Sequence, residues 1–257
     1  MPILQVMFAQ TVLGSAISLI YLIITKKKIP LTMAKKDFLL YLARAIFNLV
    51  AMILWIVSLT TLDINEATAL GYTGPLWVFL MAQYIIGEKF NSKILLLIAI
   101  NMVGMFIILQ PEYSNMPWKG VLAALGAILL WSIYEVICKK QTYNQHYMLQ
   151  SFYFLSLSSV MLAPFALNSW QSINLYQGGL LFSVAAIAVA NITVIFLAYS
   201  KAPLMLLSPF SYTRLVFTVI ITSMIYHTAI NISTFIGAAI IMITNIYITY
   251  RIKKTEI

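Results

Sequence analysis

The sequence predicts an all-α polytopic membrane protein of about nine transmembrane helices, arranged as two inverted repeats of four and five helices. Three observations carry this expectation. Apolar residues make up 62% and charged residues only 9% of the 257 positions, whereas a soluble domain is about 25% charged. The apolar residues fall into nine runs, each close to the roughly 20 residues that a bilayer-spanning helix needs. The basic residues concentrate in alternate loops, as they do when those loops face the cytoplasm.

In chain order the runs are 3–25, 38–60, 65–87, 93–110, 118–138, 146–167, 177–199, 203–226 and 230–250. The first lacks a basic leader and is too long for a signal-peptide core. It is followed by Lys26, Lys27 and Lys28, so it reads as a span with a cytoplasmic exit rather than a cleaved signal. One set of loops holds Lys26, Lys27, Lys28, Lys35, Lys36, Lys89, Lys93, Lys139, Lys140, Lys201, Arg251, Lys253 and Lys254, and the opposite set only Lys119. The rich set is expected inside, which places the C-terminus in the cytoplasm and, with nine spans, Met1 outside. A bacterial inner membrane is the expected location.

These features also exclude functions. The net charge of +9 sits in short loops, so no nucleic-acid partner is expected; the lipid bilayer is the partner it implies. One cysteine, Cys138, leaves no disulfide framework, and His146 and His227 offer no metal-ligand spacing, so no metal is expected. No G-x-x-x-x-G-K-[ST] phosphate loop occurs, and neither ATP nor another cofactor is implied. The loops have no room for a soluble catalytic domain, and an enzyme is not expected.

Superposing the chain on itself at an offset of 140 positions aligns Tyr72-Thr73 with Tyr212-Thr213 and Asn91 with Asn231. The third and fourth spans then overlay the eighth and ninth while crossing in opposite senses. Inverted repeats of this kind build many secondary transporters, with the substrate near the midplane between the halves. The expected division is 1–113 and 114–257.

The first half carries Arg44, then LTTLDINEATALGYTGPLWVFL and Gly87-Glu88. The second carries GAILLWSIYEVICKK, SPFSYTRLVFTVIIT and TFIGAAIIMITNIYITYR. Together these resemble the EamA branch of the drug/metabolite transporter superfamily over almost the whole chain. The resemblance implies ten helices in two sets of five, so a helix before Pro2 is expected to be absent here. It also implies a second Gly-Glu, where this chain has His227-Thr228. The substrates it admits are amino acids, drugs, nucleotide-like compounds and S-adenosylmethionine. The Pro-x-x-Tyr-x-x-Leu-Val string from Pro209 to Val216 tilts toward the last.

Arg214 is the foremost candidate residue. It stands about 12 residues into its span, roughly 18 Å deep, where a cation needs an internal acceptor or a substrate anion. Tyr212 and Tyr72, twins in the repeat, would place polar tips in the site, and Trp131, with Trp55, would stack on a planar or cationic substrate. Asn191 is a further candidate in the seventh span. Glu135 and Arg44 lie at similar depths and are expected to form an interhelix ion pair or a proton-coupling site, joined by Asn48 one turn from Arg44. Pro75 and Pro209 would kink their helices. Glu88 is expected to make a helix-end contact, and Glu66 to cap its own helix.

Two functions compete on these grounds. One is a secondary carrier that moves a small polar metabolite by alternating access, either as a monomer or as a homodimer. The other is a shortened, non-transporting membrane interaction protein.

Overall fold

A computed structural model describes residues 2–27, 35–111, 116–143, 145–168, 170–227 and 231–255. Lys28, Thr228 and the expected division at 113/114 lie outside the described residues. The described chain is helical and nine stretches of it are long and apolar enough to cross a membrane. This is a multi-pass membrane protein. The helices are α1 (Ile3–Ile24), α2 (Lys35–Leu59), α3 (Ile64–Gly71), α4 (Gly74–Ile86), α5 (Ser92–Leu109), α6 (Trp118–Thr142), α7 (Tyr147–Leu167), α8 (Leu175–Lys201), α9 (Leu204–Leu207), α10 (Thr213–Tyr226) and α11 (Ile232–Thr255). A 3-10 turn, Ser208–Tyr212, joins α9 to α10.

The third and eighth spans are therefore interrupted helices. Between α3 and α4 the backbone tightens, with Thr73 N–H bonding to Leu70 O and Leu76 N–H to Thr73 O. Pro75 sits in the first turn of α4, where its missing N–H has no intrahelical partner to lose. Pro209 likewise opens the 3-10 turn. The two prolines thus mark helix starts rather than kinks inside continuous helices. Mid-span 3-10 geometry of this kind is a recurrent mark of functional segments.

The chain packs as two compact units that interleave along the sequence: Met1–Leu49 with Ile137–Lys201, and Val50–Val136 with Ala202–Ile257. In the first unit the most extensive helix contact is α1 on α7; in the second it is α5 on α11. Both pairs join helices that the 140-position offset superposes.

Small residues permit both contacts, because without a hydrophobic force between helices in lipid, close backbone approach and dispersion drive association. In the first unit a Cβ on Gly14 would come 3.1 Å from both Leu155 Cδ1 and Val189 Cγ2. Ser15 and Ser156 pair their hydroxyls at 2.8 Å, and the Gln5 amide donates to Gln171 O at 2.7 Å while accepting from Gln171 N–H at 3.2 Å. In the second unit a Cβ on Gly104 would stand 2.9 Å from the Gly237 carbonyl, and one on Gly237 would meet the Gly104 carbonyl.

The repeat extends to backbone conformation. Gly87 ends α4 and His227 ends α10, both left-handed, with φ of 71° and 53°. Glycine adopts that conformation without strain; histidine does so at a cost. Apolar side chains such as Val160, Ile187 and Ile243 point outward, as a lipid-facing surface requires.

Two side chains depart from expectation. Lys139, counted above among cytoplasmic loop residues, lies inside α6 and is buried. Its Nζ donates to Tyr199 O in the last turn of α8, where exposed carbonyls favour a cation, and stands 5.0 Å from the Tyr143 ring centroid. Cys138, expected at the interface, is fully buried.

Candidate functional site

The second unit gathers four of the five expected substrate residues into one aromatic run. Tyr72 caps the end of α3 and Tyr212 closes the 3-10 turn. Their rings stack with centroids 5.8 Å apart and planes inclined by 22°. Each neighbouring threonine folds back in the same way: Thr73 Oγ1 donates to Leu70 O at 2.7 Å, and Thr213 Oγ1 to Phe210 O at 2.6 Å. The repeat therefore reproduces the local hydrogen bonding that aims both tyrosines.

Arg214 stands about midway along the eighth span, at a helix restart rather than inside a continuous helix. It is the second residue of α10, is exposed, and holds Cζ 5.5 Å from the centroid of the Tyr72 ring. The negative face of that ring attracts the guanidinium. Within its unit, no described residue accepts a hydrogen bond from the guanidinium, so its planar fork of donors is available to an anion.

Trp131 on α6 packs on Trp55 of α2, with centroids 5.6 Å apart and planes at 55°. Trp55 in turn covers Gly71, whose Cβ would come 3.0 Å from Trp55 Cη2. Trp131, Trp55, Gly71, Tyr72 and Tyr212 thus follow one another in contact. Gly71 escaped the sequence reading, since only the position of the indole shows why a side chain is excluded there. Leu62, Ala67, Ala124 and Ile128 form the apolar core beside this run, with Trp55 and Trp77 packed against it. Tyr212 is fully buried, and its Oη meets no hydrogen-bond partner among the described residues of its unit. A buried phenol of this kind is expensive unless another polar group reaches it.

The remaining candidates are placed differently. Asn191 lies in the first unit, at an exposed position on α8. Glu135 and Asn48 are half-buried on α6 and α2. Arg44 is fully buried in the first unit; its Nη1 donates to Gln141 Oε1, with Gln150 Oε1 at 3.4 Å. Three rings surround its Cζ, those of Phe196 at 5.0 Å, Phe154 at 5.2 Å and Tyr41 at 5.6 Å. Two amide oxygens and three aromatic faces are among the groups that replace the water this cation gives up.

Both acidic end-caps take the roles expected of them. Glu66 Oε2 accepts from Asp63 N–H at 3.1 Å in a capping box. Glu88 Oε1 and Oε2 accept from the backbone N–H groups of Leu204 and Met205 at 2.7 and 2.8 Å.

Interrupted membrane helices in repeat-related positions are a build found in many membrane transporters, and here each carries a tyrosine at the break. Comparison with known proteins makes this specific. Residues 1–110 and 118–250 match the EamA-like transporter family. The chain belongs to that family, and it is a transporter of a small metabolite. It is 23% identical over 214 residues to the S-adenosylmethionine uptake transporter of Rickettsia bellii, covering 83% of this chain and 73% of that one. It is 26% identical over 223 residues to the riboflavin transporter of Rhizobium johnstonii, covering 84% and 72%. A solved crystal structure shares the fold with a TM-score of 0.81 at 16% identity, covering 97% of this chain and 89% of that one.

Proposed function

We propose that the protein is a secondary carrier that takes S-adenosylmethionine across the bacterial inner membrane by alternating access. Its C-terminus would be cytoplasmic. The observation that carries the reading is the stacked pair Tyr72 and Tyr212 with Arg214 beside it. S-adenosylmethionine has a planar heteroaromatic base, a cationic sulfonium and a carboxylate. Aromatic faces suit the first two, and an arginine with open donors suits the third. The similarity to S-adenosylmethionine uptake transporters of Rickettsia supports the same choice.

Arg214 is the anchor for the carboxylate, Tyr212 offers its buried hydroxyl, and Tyr72 and Trp131 supply ring faces; Asn191, in the first unit, is proposed separately as a substrate-binding residue. Glu135, Arg44 and Asn48 are assigned to coupling or to holding helices together. A homodimer belongs to the same proposal.

The test is uptake of labelled S-adenosylmethionine into proteoliposomes of the purified protein, competed by S-adenosylhomocysteine, riboflavin and a panel of amino acids. Saturable uptake that S-adenosylhomocysteine inhibits and the amino acids do not is the expected result. Inhibition by riboflavin alone would move the assignment to flavin-like substrates. No saturable flux from folded protein with any compound would overturn the carrier reading.

A further inference from the structure

The two interrupted spans begin at positions that the repeat superposes, yet their first turns are capped in different ways. Asp63 is the N-cap of α3, with φ −64° and ψ 150°, and Pro203 is the N-cap of α9, with φ −56° and ψ 142°. The two residues are 140 positions apart and their backbones nearly coincide in conformation. At α3 the cap is built locally, with Glu66 reaching back to the Asp63 N–H. Pro203 has no side-chain group with which to cap α9. The two orphan N–H groups there, those of Leu204 and Met205, are instead taken by both carboxylate oxygens of Glu88, 116 and 117 residues away along the chain. At the start of the eighth span, such acceptors satisfy N–H groups that have no partner within the helix.

We infer that Glu88 is a positioning residue: a long-range cap that seats α9 and the 3-10 turn behind it, and so sets where Tyr212 meets Tyr72. Only seven positions separate Met205 from Tyr212, and all of them are helical or 3-10. A carboxylate at the start of this segment also complements the partial positive charge of its exposed N–H groups. The role of Tyr212 in transport rests on the function proposed above; the capping role of Glu88 does not.

Hydrogen exchange of the full-length protein in lipid nanodiscs tests this without any substrate. Glu88→Gln is expected to raise exchange at least about tenfold at the amides of 204–212 while leaving α1, α7 and α8 at wild-type protection. Pro203→Asp, which places at α9 the residue found at α3, is expected to restore protection in the Glu88→Gln background and to restore any lost uptake with it. Unchanged exchange at 204–212 in Glu88→Gln would overturn the inference. So would a loss of protection that Pro203→Asp fails to reverse. Should Glu88→Gln fail to accumulate, Glu88→Asp takes its place: the shorter arm reaches fewer of the two N–H groups, and intermediate exchange confined to the same segment is expected, with a uniform rise throughout the protein as the contrary result. Absence of uptake by the wild-type protein would count against the carrier reading alone, since the exchange result is read independently of it.

Discussion

The rings of Tyr72 and Tyr212, 140 positions apart in the chain, stack at 5.8 Å within one packing unit. Ring and hydroxyl can be separated experimentally. Tyr212→Phe keeps the stack and is expected to leave the fold intact while raising the apparent KM for S-adenosylmethionine several-fold, because only the Oη contact is lost. Tyr212→Ala also removes a ring pair worth about 0.5 to 1.5 kcal/mol beyond its buried area, so lower thermal stability is expected together with loss of uptake. Uptake kinetics and melting of the two purified variants provide the check.

Arg44 is held by Gln141, Gln150 and three ring faces. Arg44→Met is expected to cost about 2 to 4 kcal/mol of stability, combining a charged hydrogen bond with desolvated cation contacts. Arg44→Lys should recover part of this, since an ammonium keeps the charge without the planar fork. Denaturation in mixed micelles measures both; a melting midpoint equal to wild type in Arg44→Met would show that the cage does not stabilise the fold.

Gly104 and Gly237 leave no space for a Cβ between α5 and α11. Gly237→Ala would press against the Gly104 carbonyl backbone, which cannot swing aside as a flexible side chain would. A loss of about 1 to 3 kcal/mol is expected for the overpacked contact. Gly178 and Gly179, where an added Cβ meets nothing within 4 Å, are the controls, and alanine there should change stability little. Thermal scans of the three variants decide the point.

His146 caps α7, its Nδ1 accepting from Met148 N–H at 3.3 Å. Only the neutral ring can accept at that atom. Burial, together with the Lys27 charge, holds the pKa of His146 below the usual 6.5. The folded state therefore binds this proton less readily than the unfolded state, and stability rises with pH across the window between the two values. The contribution is complete above about 6.5 and is lost as pH falls through the lowered value. His146→Asn, which can cap without titrating there, is expected to flatten this part of the pH profile of thermal stability.

Much of this architecture can be read from the chain. The nine spans follow from apolar run length alone, and the twin tyrosines follow from self-alignment, because a side chain repeated at a fixed offset needs no tertiary knowledge to be noticed. The interruptions at Tyr72 and Tyr212 were less legible: Pro75 and Pro209 announce a change of backbone but do not say whether a helix bends or restarts. Lys139 was misplaced because a lysine near the end of an apolar run looks the same whether it snorkels to water or turns inward to a helix-terminal carbonyl. The role of Glu88 as a helix-end contact was legible, but its partners more than a hundred residues away were not. The mid-span position of Arg214 is legible from run length, whereas the helix restart beside it and the Tyr72 ring under its guanidinium are not.

The most direct test of the carrier reading compares counterflow of labelled S-adenosylmethionine in proteoliposomes holding equal amounts of wild-type protein and Arg214→Leu. Loss of a charged hydrogen bond to the substrate carboxylate, worth about 1.5 to 3 kcal/mol, predicts saturable exchange by the wild type and a fall of at least about tenfold in the variant, with membrane insertion unchanged. Wild-type rate and apparent affinity in Arg214→Leu would contradict the account.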